Sequence, residues 1–186
     1  MQWYGEPSIR LSRADIVSLE VLKEQQRQAV RMGHQTITIW HMLLAILDVE
    51  RRMRAFNLRL PDALAIRNTG GRRLLECGFT FEQISRYAVW AGDNVELAAS
   101  EVLMKRVVNG GWGDPLWSRA VVAVEDAAGE LALTYRHPDC GTTHLLAALL
   151  AEAKDEITSF LPESDVAALG SRVREDLSGI GPAWAA

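Results

Sequence analysis

Cysteine, lysine and long apolar runs are all scarce in this chain of 186 residues. Its two cysteines, Cys77 and Cys140, lie far apart and outside any Cys-x-x-Cys spacing, which argues against a disulfide framework and favours a reducing compartment. Its apolar runs stop well short of the roughly 18 to 20 residues that cross a bilayer. Residues 1–13 also lack the basic and apolar segments of a signal peptide. We therefore expect a cytoplasmic protein with no membrane partner.

Strand-like alternation of apolar and polar residues is also missing, whereas helical periodicity recurs along the chain. The composition, 48% apolar and 24% charged, is that of an ordinary globular protein. The pattern predicts an all-α fold. Its first helix should run from a cap at Ser12 to Met32 and end at a left-handed Gly33. Four residues should form the buried stripe of that helix: Ile16, Leu19, Leu22 and Ala29.

The other helices are bounded by turn and cap residues. We expect an inserted loop over 57–70 with at most one helical turn, and a break at 109–118 between two halves. Residues 179–186 should form a loose tail. The remaining helices should cover 38–54, a short segment before Gly78, a segment capped by Thr80, 93–108, 118–135, 142–154, 157–161 and a segment from Ser164 to Leu177.

Two stretches of the chain repeat each other at an offset of 103 residues. HQTITIWHMLLAIL at 34–47 aligns with HPDCGTTHLLAALL at 137–150, so that His34 matches His137 and His41 matches His144. Self-similarity at a fixed offset predicts two structural units built on one plan.

These repeated stretches resemble the Clp N-terminal domain, or Clp repeat domain, which precedes the ATPase rings of Clp unfoldases. The family signature is a helix ending in Gly-His, then Gly-Thr-Glu-His-Leu-Leu opening the next helix, then a short unit similar to RRLLECGFTFEQI at 72–84. The resemblance implies two four-helix pseudo-repeats packed as one domain with approximate two-fold symmetry. The first repeat would cover 10–108 with its insertion at 57–70, and the second would cover 116–178. The chain has no Gly-x-x-x-x-Gly-Lys-Ser/Thr phosphate loop, so an ATPase activity is not expected from it.

The motif departs from the family at one position in each repeat. In ClpC-type relatives, the Glu of Gly-Thr-Glu-His is similar in role to a clamp for the guanidinium of phosphorylated arginine. Trp40 and Thr143 stand at these positions here, and neither can form a charge-assisted fork with a guanidinium. Trp40 instead brings a large aromatic surface, which favours an apolar or aromatic ligand. The alternative is that Trp40 packs against the arginine-rich insertion.

His41 and His144 open their helices and permit two interpretations. A neutral buried histidine that ties its helix to a neighbouring turn is the structural one. A general acid or base acting on a small molecule, for example in natural-product biosynthesis, is the catalytic one. The spacing of His137, Asp139, Cys140 and His144 also permits zinc, although a buried thiol is the commoner use of such a cysteine. We expect no metal and no cofactor.

Seven arginines and a single acid, Asp62, lie between residues 51 and 73. An anionic partner could dock there, but the net charge of −4 argues against a dedicated nucleic-acid binder. The main prediction is a non-enzymatic binding module that acts as an adaptor, decoy or sequestering protein, with Clp protease components among its candidate partners. It would hold a peptide or an apolar small molecule in a groove near the repeat helix starts. Six residues form the predicted ligand site: Thr38, Trp40, His41, Thr142, Thr143 and His144.

Overall fold

The computed structural model describes residues 14–94, 102–104 and 115–180. Nine helices and three very short strands lie in this part of the chain. The helices are α1 Ile16–Met32, α2 Ile39–Ala55, α3 Asp62–Ala65, α4 Gly70–Glu76, α5 Phe81–Asn94, α6 Arg119–Thr134, α7 Thr142–Glu152, α8 Lys154–Thr158 and α9 Glu163–Gly179. The strands are β1 Thr36–Ile37, β2 Val102–Met104 and β3 Leu116–Ser118.

Each half opens with a capped helix that ends in a left-handed residue. The Asp15 carboxylate caps α1 by accepting from the backbone N–H of Ser18 at 2.9 Å. Gly33 then ends the helix with a φ of 75°. In α6 the cap is Ser118, which lies 103 residues after Asp15, and the left-handed residue is Arg136, with a φ of 58°. The same backbone plan therefore holds where glycine has been replaced by arginine.

The two halves also exchange backbone contacts in a symmetric way. β1 pairs in parallel with β3, which joins Ile37 to Trp117. An isolated parallel bridge joins Ala14 to Cys140. At the repeat offset of 103 residues, Ala14 corresponds to Trp117 and Ile37 corresponds to Cys140. The two pairs are therefore the same contact with the halves exchanged. The predicted all-α bundle of two related halves with approximate two-fold symmetry is confirmed.

The core lies where the central helices of the two halves meet. α1 packs on α2, and α6 packs on α7. Every residue of α2 from Ile39 to Glu50 is buried, as are most residues of α7. No helix in the described ranges has both the length and the apolar character of a bilayer-spanning segment.

The expected buried stripe of α1 was wrong in part. Leu22 and Ala29 are buried, but 70% of Ile16 and 42% of Leu19 is exposed. The buried face instead includes Glu24, which is 1% exposed. Three arginines, Arg27, Arg31 and Arg52, form ion pairs with its carboxylate at 3.0 to 3.2 Å. A polar residue occupies the interior because its partners come from both helices, and periodicity of hydrophobicity cannot show this.

Several predicted boundaries also need correction. The cap of α1 is Asp15 rather than Ser12, which lies outside the described residues. Residues 102–104 form a strand paired with β3, so no single helix covers 93–108. Gly179 belongs to α9 and Ile180 is buried, so the tail is not loose at its start; 181–186 lie outside the described residues. α8 begins earlier than predicted, at Lys154, and α9 begins at Glu163 rather than after a Ser164 cap.

Candidate functional site

The two helix starts that carry the repeated motif are built alike. In α2, the backbone N–H of Thr38 donates to Nδ1 of His41 at 3.0 Å. In α7, the backbone N–H of Gly141 donates to Nδ1 of His144 at the same distance. Each histidine thus takes the place that Glu or Gln has in an ordinary capping box.

These hydrogen bonds fix the tautomer of each imidazole. Because Nδ1 accepts, the proton of a neutral ring lies on Nε2. His41 then donates from Nε2 to Nδ1 of His34 at 2.9 Å, and His144 donates in the same way to His137 at 2.7 Å. In the second half the relay continues, because Nε2 of His137 lies 3.3 Å from the carbonyl oxygen of Ile180.

Burial keeps His41 and His144 neutral. Together with the neighbouring His34, it lowers the pKa of His41 to about 3. It lowers the pKa of His144 to about 4, with His137 as the second cause. Both side chains are 0% exposed. A general acid or base must touch its reactant, so the imidazoles in this conformation hold helix starts in place, as the structural interpretation predicted.

Trp40 lies in the first turn of α2 and is also 0% exposed. Its ring packs at 5.0 Å from Tyr87 and edge-on at 5.4 Å from Phe160, rather than on the arginine-rich insertion. Phe160 packs in turn on Trp90 at 4.6 Å. We call Trp40, Tyr87, Trp90 and Phe160 the aromatic cluster. Half of Trp90 is exposed, so the cluster reaches solvent through Trp90 and not through Trp40.

A carboxylate from the other half lies beside Trp40. The indole N–H of Trp40 is buried and faces the Glu156 carboxylate without the geometry of a full hydrogen bond. Partial burial raises the pKa of this carboxyl group, and the indole N–H offsets part of the rise. The first repeat therefore has a negative charge close to the position where the motif lacks one. This weakens the argument that Trp40 alone selects an uncharged ligand.

Residues 67–70 of the insertion occupy the corresponding helix start in the second repeat. The backbone N–H of Thr142 donates to Oδ1 of Asn68 at 2.9 Å, and that of Thr143 donates to the carbonyl of Arg67 at 3.1 Å. The hydroxyl of Thr143 accepts from the backbone N–H of Thr69 at 3.0 Å. The six predicted ligand residues are thus all buried and have partners within the chain. Their ligand role stays a prediction that would require this region to open.

The N-terminal domain of ClpD, a caseinolytic-protease-associated chaperone from Arabidopsis thaliana, has a similar structure. The match covers 94% of this chain and 100% of that domain, with a TM-score of 0.62 and 16% sequence identity. The fold is that of a Clp N-terminal domain. At this identity the likeness shows the fold alone. No protein-family model matches the sequence, and no curated protein is significantly similar to it.

The Clp N-domain-like fold does not arrange the suggested zinc ligands around a common point. His137 and His144 direct nitrogens at each other, and burial raises the pKa of the Cys140 thiol to about 12. Asp139 pairs instead with Arg67 at 3.5 Å. Within the described ranges, no group of three or more His, Cys, Asp or Glu residues is placed to hold a metal ion.

Most of the arginines between 51 and 73 have acidic partners that lie outside this segment of the sequence. Arg52 pairs with Glu24 of α1, and Arg73 makes a two-point contact with Asp176 of α9 at 2.5 and 2.8 Å. The window itself holds one acid because the paired carboxylates lie outside it. Those of Arg52, Arg67 and Arg73 are distant along the chain. Those of Arg51, Arg54 and Arg72 are three or four positions away on the same helix. Four further arginines have an acidic partner: Arg51, Arg54, Arg67 and Arg72.

An acidic cavity next to the aromatic cluster was missed by the sequence analysis. It has a volume of about 310 Å³ and lies between the end of α7, the start of α8 and Ala120. Glu152, Asp155 and Glu156 line it, with Lys154. Since Glu156 also lies beside Trp40, the cavity and the cluster adjoin. The three acids at 152, 155 and 156 share a helical spacing that could have indicated one acidic face.

Proposed function

We propose that this Clp N-domain-like chain is a non-enzymatic module that binds a peptide across the aromatic cluster and the acidic cavity. The half-exposed Trp90, held on Phe160 at 4.6 Å, is the observation that carries the proposal. Large aromatic side chains with little conformational entropy to lose are the commonest anchors of protein interfaces.

Packing beneath the surface keeps the cluster rigid. Phe160 lies on the buried ring of Trp40, and the hydroxyl of Tyr87 donates to the Phe160 carbonyl at 3.2 Å. A ligand that contacts Trp90 thus meets a surface that is already ordered, so less entropy is lost on binding. Val89, which precedes Trp90 on α5, is 42% exposed.

Charge complementarity indicates which peptide would fit. The acidic cavity begins at Glu156 and continues to Glu152 and Asp155, while Lys154 lies near Glu163 at 3.7 Å. We therefore expect an apolar or aromatic side chain to contact Trp90 and a neighbouring basic side chain to face the carboxylates. Such a module would serve as an adaptor, decoy or sequestering protein, with Clp components as candidate partners. The enzyme alternative gains no support from imidazoles that have no exposed surface.

Fluorescence anisotropy with short labelled peptides tests this proposal. The probe carries a Phe-Leu-Arg core, and two comparison peptides replace Phe-Leu by Ser-Ser or Arg by Glu. Trp90→Ala should weaken binding of the probe about tenfold or more. Glu156→Gln should weaken binding of the probe but not binding of a peptide whose core is Phe-Leu-Ser.

The matched control is Leu133→Ala, which shortens a 45% exposed apolar residue of α6 outside the cluster. It should leave the affinity unchanged. Equal affinities of the wild-type chain, Trp90→Ala and Leu133→Ala would exclude the aromatic cluster as the binding surface. Tighter binding of the Glu-containing peptide would exclude the acidic cavity.

A further inference from the structure

A second cavity, lined by two arginines and one glutamate, lies under the arginine-rich insertion. Its volume is about 370 Å³, which falls in the range of small-molecule sites. The end of α2, residues 57–60, α3 and the start of α4 enclose it. No part of the aromatic cluster or the acidic cavity lines it, so it is a separate site. We call it the insertion cavity.

The walls of the insertion cavity are apolar on one side and cationic on the other. Met53, Leu58 and Leu60 supply apolar surface, and 60% of Leu58 is exposed. Arg54 and Arg72 supply two guanidinium groups, each about half exposed. This combination matches a molecule that has an apolar body and an anionic head.

The hydrogen bonds of the two arginines leave donors for a ligand. Arg54 donates from Nε to Glu50 at 2.6 Å, and within the described ranges its two terminal nitrogens make no hydrogen bond. Arg72 lies 3.7 Å from Glu76, which is an ion pair but longer than a hydrogen bond. A guanidinium pairs best with a carboxylate through two parallel N–H groups, and Arg54 keeps such a pair.

The negative charge of Glu50 favours a small anion over a polyanion as the ligand of the insertion cavity. Its carboxylate lies in the cavity wall, and Glu76 lies beside Arg72, so the local excess of positive charge is small. Nucleic acid needs a run of unpaired basic residues along its backbone, which this surface does not offer. A single carboxylate needs only the guanidinium groups of Arg54 and Arg72 as hydrogen-bond donors.

We propose that the insertion cavity binds a small amphipathic carboxylate, with its head on Arg54 and Arg72 and its apolar body against Met53, Leu58 and Leu60. The site does not depend on the peptide surface proposed above.

Displacement of the fluorescent probe anilinonaphthalene sulfonate by octanoate tests this assignment, with octanol and inorganic phosphate as partial ligands. Octanoate should displace the probe at about a tenfold lower concentration than either partial ligand, since only octanoate meets both walls. Displacement by octanol as efficient as by octanoate would overturn the proposal. Displacement by a short single-stranded oligonucleotide at lower concentration than octanoate would overturn it as well.

Arg72→Gln should lower the affinity for octanoate about tenfold. Its matched control is Arg86→Gln, since Arg86 is also a helical arginine paired with a glutamate four positions away, but it lies on α5 and does not line the cavity. Arg54 is a poor choice because its loss would leave the nearly buried Glu50 without a partner. Leu58→Ser provides a second test: the affinity for octanoate should fall, while the affinity for phosphate should not change. Equal affinities for octanoate in the wild-type chain, Arg72→Gln and Leu58→Ser would show that octanoate binds elsewhere.

Discussion

His144 donates its Nε2 proton to Nδ1 of His137 across 2.7 Å, and the first half repeats this bond between His41 and His34. In both halves the bond joins a histidine just beyond the end of one long helix to the first turn of the next. Each imidazole satisfies a backbone donor at its helix start and a buried acceptor at the preceding helix end. The repeated motif therefore ties the end of one helix to the start of the next in both halves.

The stability of the protein should fall as the pH falls from 6.5 towards 4. His144 titrates near 6.5 when unfolded and at about 4 when folded, and His41 at about 3. The unfolded chain therefore takes up protons first, and each histidine lowers the free energy of unfolding by up to about 1.4 kcal/mol per pH unit in this window. Well above pH 6.5, both histidines contribute fully to the free energy of unfolding. Urea unfolding between pH 6.5 and about 5 measures it, because carboxyl groups titrate mainly below that range.

His144→Gln should reduce the slope of the free energy of unfolding against pH by the contribution of one histidine. Glutamine is an ordinary capping-box residue at this helix position, so the substitution keeps the cap while it removes the titrating group. The control is Val173→Ala, which removes buried apolar volume and should lower stability equally at every pH. An unchanged slope in His144→Gln would show that the imidazole is not the source of the pH dependence.

Gly141→Ala should destabilise the protein by about 1 to 3 kcal/mol. A Cβ at this position would lie 2.2 Å from the carbonyl oxygen of Arg67, which is backbone and cannot move alone. The φ of Gly141 is −103°, so the effect arises from the contact and not from backbone strain. Thermal unfolding measures the change. Gly170→Ala is the control, with its nearest atom at 3.6 Å in a flexible arginine; we expect it to stabilise α9 by up to about 1 kcal/mol.

Asp176→Asn should cost about 1.5 to 3 kcal/mol in the free energy of unfolding. Its carboxylate joins the halves, because it accepts from Arg73 of α4 and from the Thr69 hydroxyl while it belongs to α9. Both partners lower the pKa of Asp176. Glu82→Gln breaks the exposed Arg86–Glu82 pair and should cost less than about 0.5 kcal/mol. Similar costs for the two variants in urea unfolding would contradict the structural role of Asp176.

A thiol reagent should distinguish the two cysteines. Cys140 is 4% exposed and burial raises its pKa to about 12, so almost no thiolate forms near pH 8. Cys77 is partly exposed. The native chain should release one equivalent of chromophore from a chromogenic disulfide reagent within minutes. A second equivalent should be released only after denaturation. Two fast equivalents in the native protein would mean that the Cys140 region opens readily.

Local signals explain which features could be read from the sequence. The glycine at 33, the Thr80 cap and the single turn within 57–70 depend on neighbouring residues, and the structure confirms them. The β strands were missed because two or three residues are too few to show alternation. The aromatic cluster joins Trp40 to Phe160, and no local pattern indicates that these residues meet.

The sequence by itself determined the duplication, which is visible as a repeated motif. It also determined the helical class, the left-handed helix end at Gly33 and the Thr80 cap, because these depend on residues a few positions apart. Only the tertiary structure decided that Trp40 is covered while Trp90 reaches solvent, and that Glu156 lies beside Trp40. It also decided that Arg52 and Arg73 of the arginine-rich segment are neutralised by acids from other helices. Burial and charge pairing depend on which surfaces meet, and residues distant along the chain supply those surfaces.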